Sequence, residues 1–84
     1  MKVVNIEGDY DSMEVTFEDG RKVEFGGELL AKGFVAYENS ARKWIVPEGK
    51  PISDSERKEI VAAVLEDAKQ NPGMKITFET YVPR

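Results

Sequence analysis

Three carboxylates within six positions, Asp9, Asp11 and Glu14, could bind a hard divalent cation through oxygen. A calcium loop of the EF-hand type needs further ligands, a glycine at its sixth position and a terminal acid, whereas Met13 and Val15 already alternate here as strand residues. The segment reads as a solvated turn, and no metal site and no cofactor is expected. Arg42, Lys43, Trp44 and Lys50 interleave bases with an aromatic ring, as surfaces for single-stranded nucleic acid do. A net charge of -4 opposes phosphate binding, so no nucleic-acid partner is expected. Ser12, Ser40, Ser53 and Ser55 have no histidine to activate them, since the chain contains neither histidine nor cysteine. The commonest general base and the thiolate nucleophile are both missing, and no catalytic residues and no enzymatic activity are expected.

The chain of 84 residues is expected to form a single domain, 1–84, near the size at which one core is only marginally sufficient. A homodimer, paired through a sheet edge or through a helix face that includes Ala62 and Ala63, is therefore one of the expected assemblies. No apolar run approaches the roughly 18 residues of a membrane span, and the first residues lack the apolar stretch of a signal peptide. The expectation is a cytoplasmic protein without a membrane partner. Charge is unevenly spread: residues 1–28 hold eight acids and three bases, a net -5, and leave +1 for the rest. Such a field attracts basic partners.

Alternation of Met13, Val15 and Phe17, then of Val23 and Phe25, around Asp19-Gly20 predicts a hairpin over Met13 to Phe25. A two-residue turn would set Val15 against Glu24 and mix the faces. A three-residue Glu18-Asp19-Gly20 loop with Gly20 left-handed instead pairs Val15 with Val23 and Met13 with Phe25. Lys2 to Glu7 reads as a strand before the polar connector Asp9 to Ser12. Gly26-Gly27 reads as a break, Gly33 to about Glu38 as another strand, and Arg42 to Val46 as one more. Ser53 and Glu56 form the capping box of a helix whose apolar face holds Ile60, Val61, Val64, Leu65 and Ala68. Asn71-Pro72-Gly73 stops that helix, and a last strand runs from Met74 to about Tyr81.

The fold class is therefore α+β: a strongly twisted, mostly antiparallel sheet of about six strands with one helix, in the C-terminal half, packed on one face. The expected core is Val4, Ile6, Met13, Val15, Phe17, Val23, Phe25, Phe34, Trp44, Ile60, Val61, Val64, Leu65, Ile76 and Phe78. Trp44, the only tryptophan, lies between two apolar runs and is either the hub of that core or the anchor of an interface.

The run Gly33-Phe34, Tyr37, Ser40, Trp44 and Pro47, followed by a capped helix and a closing Lys75-Ile76-Thr77-Phe78-Glu79 strand, resembles immunity protein family 74 of the bacterial polymorphic toxin systems over roughly the whole chain. The resemblance implies a cytosolic protein that binds and blocks the toxin encoded beside it, stoichiometrically and without turnover. It carries over no binding residues. Those are sought in the hairpin register, which sets Glu14 directly opposite Glu24, a like-charge pair costing a few tenths to about 1 kcal/mol unless a cation answers it. Glu14, Glu18, Asp19 and Glu24 are accordingly the expected partner-binding patch, Trp44 a separate candidate interface anchor, and a basic nuclease domain a fitting toxin. The alternative is a self-associating structural module of unassigned role.

Overall fold

The computed structural model describes residues 1–71, 73 and 75–83. Pro72 in the expected helix stop and Met74 at the expected start of the last strand lie outside them. Five strands form one sheet in the order of the chain: β1 (Val3–Gly8), β2 (Ser12–Phe17), β3 (Lys22–Leu30), β4 (Gly33–Tyr37) and β5 (Ile76–Glu79). The first four run as an antiparallel meander, and β5 joins β4 in parallel after the helix α1 (Asp54–Gln70). A parallel neighbour cannot be reached by a tight turn, so the long connection through α1 is what the topology requires. The chain is α+β as expected, with five strands instead of about six.

The β2–β3 hairpin has the expected register, with Met13 opposite Phe25, Glu14 opposite Glu24 and Val15 opposite Val23. Gly20 sits at φ 91°, and its N–H donates to the Phe17 carbonyl at 2.9 Å to close the turn. Every second residue points inward, so Met13, Val15, Phe17, Val23 and Phe25 are buried on the same face as Phe34, Ala36 and Ile76. The helix starts where expected: the Ser53 hydroxyl accepts from the Glu56 N–H at 3.1 Å, and the Glu56 carboxylate accepts from the Ser53 N–H at 3.2 Å. Ile60 and Val64, one turn apart, are the helix side chains that bury fully in the core.

Four expectations fail for local reasons. Val4 is 56% exposed, because a bulge between Val3 and Asn5 makes Val4 the extra residue and turns Val3 and Ile6 toward the core instead. Leu65 is 38% exposed, since the face of α1 that meets the core is centred on Ile60 and Val64 with Val61 and Ala63 partly buried beside them. Gly26-Gly27 does not break β3; the strand runs through it, pairing with β2 before this point and with β4 after it. Gly27 is needed for close approach, as a Cβ there would stand 2.1 Å from the Val35 carbonyl oxygen.

Arg42 to Val46 makes only isolated bridges, Lys22 with Val46 and Lys43 with Pro51. Pro47 and Gly49, the latter at φ 73°, fold this stretch back so that the Gly49 N–H reaches the Trp44 carbonyl at 3.1 Å and the Trp44 N–H reaches the Lys50 carbonyl at 2.8 Å. The tight loop brings Ala41, Trp44 and Ile52 into the core, of which Ala41 and Ile52 were not expected there. Among the described residues, no helix is long and apolar enough to cross a membrane.

Candidate partner-binding surface

The face of the sheet opposite the core gathers the acids. In β1, Glu7 stands opposite Glu14, and Glu14 stands opposite Glu24, so three glutamates form one row across three adjacent strands. Like charges directly opposed in a sheet destabilise it by a few tenths to about 1 kcal/mol each, and this row contains two such pairs. Among the described residues a single cation answers them within the sheet: Lys22 Nζ lies 3.7 Å from the Glu14 carboxylate. Farther along the same face Glu28 pairs with Val35 and Glu79 with Tyr37, extending the acidic surface toward β5. The Tyr37 hydroxyl is pushed above its ordinary range, first by loss of solvent and then by the charges of Glu28 and Glu79.

Glu18 and Asp19 occupy the hairpin turn at the end of this face, and both are exposed. Asp19 is engaged within the turn. Its carboxylate accepts the Arg21 N–H at 3.0 Å and the Arg21 Nε–H at 2.7 Å, and these bonds hold its carboxyl below the usual range. The Arg21 guanidinium lies 4.7 Å from the centroid of the Trp44 ring. Trp44 is 2% exposed and meets Phe17 edge-on, ring centroids 6.0 Å apart. Its indole N–H is buried with no hydrogen-bond partner among the described residues. The structure thus brings Glu14 and Glu24 together, leaves Glu18 and Asp19 at the turn, and seats Trp44 beneath Arg21.

Asp9 and Asp11 belong to the turn between β1 and β2. Asp9 accepts the Ser12 hydroxyl at 3.0 Å, the first cause of its lowered pKa, with hydrogen bonds from Asp11 next. Among the described residues, no three acidic side chains converge to hold a metal ion. Glu7, Glu28 and Glu79 were missed from sequence. Glu7 could have been found by continuing the meander across the polar turn Asp9 to Ser12, which brings β1 back against β2. Glu28 and Glu79 required the unbroken β3 and the parallel pairing of the expected last strand with β4, neither of which has a local signal.

A five-stranded sheet with an α-helix packed on its core side and glutamates ranked across the other is a small α+β domain whose distinguishing features are surfaces. The chain belongs to the immunity protein 74 family, whose model matches residues 5–79. The match spans all five strands but for the first residues of β1, together with the Trp44 loop and the helix. Comparison with curated proteins and with solved structures gives no match.

Proposed function

We propose that this protein neutralises a cognate bacterial polymorphic toxin by binding it stoichiometrically in the cytoplasm, without catalysis, through the outer face of the sheet. The observation that carries this reading is the row Glu7, Glu14 and Glu24, a repulsive arrangement in a chain of an immunity family. A sheet that tolerates two opposed like-charge pairs gains from a partner that brings cations to it. Glu18, Glu28 and Glu79 widen the same negative field, Asp19 being paired with Arg21 in the turn, and that field steers a basic partner toward the face and speeds encounter. A toxin that acts on nucleic acid fits this chemistry, because an enzyme that grips phosphates carries positive charge. Trp44 serves the surface from behind, holding Arg21 and, through it, Asp19.

Charge reversal at Glu14→Lys together with Glu24→Lys tests the face. Stopped-flow association with the toxin domain encoded beside the gene is expected to slow by about tenfold or more at low salt, the difference shrinking as salt rises toward about 1 M. Unchanged association at every ionic strength would reject this face as the site.

A further inference from the structure

The core-facing side of the sheet is only partly covered. Helix α1 buries Ile60 and Val64 against it, and beside the C-terminal half of the helix a cleft of about 400 Å³ opens between α1 and β1. Val4 and Ile6 of β1, Leu29 of β3 and Ala68 of α1 line it, and Val4 and Leu29 are 56% and 47% exposed. The bulge that turns Val3 inward leaves Val4 at this opening. Among the described residues, the charged side chains lining the cleft are Asp9 and Asp67, both acidic. Asp9 accepts the Ser12 hydroxyl at 3.0 Å, and Asp67 accepts Asn71 Nδ2–H at 3.2 Å. Neither carboxylate is ion-paired among the described residues.

Apolar walls of this volume accept one or two large side chains, and two carboxylates without a counter-ion accept a cation beside them. A second copy of the chain fits poorly, since it brings a further net charge of -4. We infer that the cleft is the anchor pocket of the toxin interface and receives a basic amphipathic segment of the toxin, an apolar side chain between Val4, Leu29 and Ala68 and a lysine or arginine against Asp9 and Asp67. The inference rests on the reading of this chain as an immunity protein. It deepens that reading, because β1 presents Ile6 to the cleft and the next residue, Glu7, to the acidic row, so one partner gripping the edge of β1 touches both. Steering then belongs to the acidic face and slow release to the cleft.

The test is titration of the isotope-labelled full chain with the toxin domain encoded beside its gene, followed by NMR, with Leu29→Asn as a variant. The expected result is a shift of the Val4, Leu29 and Ala68 resonances on binding and a Kd raised about tenfold or more by the variant, mainly through faster dissociation. If Leu29→Asn unfolds the chain, the resonance map of the unaltered protein decides alone. Tight binding that leaves these resonances and the Kd unmoved overturns the cleft proposal and spares the immunity reading. Absence of binding overturns both, and concentration-dependent shifts of the cleft without toxin would give it to a second copy and overturn the proposal.

Discussion

Trp44→Ala is expected to lower the stability of the folded chain by about 3–5 kcal/mol, the range for deleting a large buried aromatic. Folded domains hold roughly 0.05–0.15 kcal/mol per residue, so the loss would remove a large part of the total for this chain. The size of the effect follows from position: Trp44 is the largest of the fully buried side chains and packs against Phe17, under Arg21. Its alanine replacement would empty the tight loop that carries Ala41 and Ile52 into the core and would unseat the guanidinium. Trp44→Phe should cost distinctly less, because it keeps most of the buried aromatic volume and the indole N–H has no hydrogen-bond partner among the described residues to lose. Urea denaturation of the three proteins checks both statements. A midpoint for Trp44→Ala close to that of the unaltered chain would show that the loop is not part of the cooperative core.

Gly27→Ala is the second substitution of large effect, and its neighbour supplies the control. A Cβ at Gly27 would stand 2.1 Å from the backbone oxygen of Val35 and 2.7 Å from the buried ring of Phe34. Neither can yield cheaply, since Val35 is in the β3–β4 ladder and Phe34 is packed in the core. Overpacking of this kind costs about 1–3 kcal/mol, and the expected value lies at or above the upper end because backbone must move. At Gly26 a Cβ would meet only Ser40, at 3.8 Å, which is ordinary contact. Gly26→Ala should therefore stay within about 0.5 kcal/mol of the unaltered chain. Thermal and urea melts of the pair separate these outcomes, and equal losses at both positions would contradict the packing described at Gly27.

What the sequence made legible were the features written in a few adjacent residues. Alternation on both sides of Asp19-Gly20 determined the β2–β3 register, and with it the confrontation of Glu14 and Glu24. Ser53 and Glu56 marked the helix start for the same reason, since a capping box is local. The bulge at Val4 has no such signature: two successive valines alternate equally well either way, and only pairing with β2 decides which turns inward. The glycine pair read as an interruption because glycine weakens a strand, whereas in the fold it removes the side chain that would keep β4 from closing on β3. Trp44 and its neighbours looked like a strand until Pro47 and Gly49 folded them into a loop. For the same cause the acidic face was half legible. Glu14 and Glu24 follow from one hairpin, but Glu7, Glu28 and Glu79 join them only through longer-range pairing.

Stoichiometry most directly tests the proposal that this protein acts by holding another macromolecule. The activity of the proposed toxin partner is titrated with this chain at concentrations well above the expected Kd. Activity is predicted to fall linearly and to vanish at a fixed, near-equimolar ratio, with an intact complex recovered by size-exclusion chromatography at the end point. Progressive loss of toxin activity at ratios far below one, with the toxin chemically altered and no complex recovered, would mean turnover and would contradict the binding account.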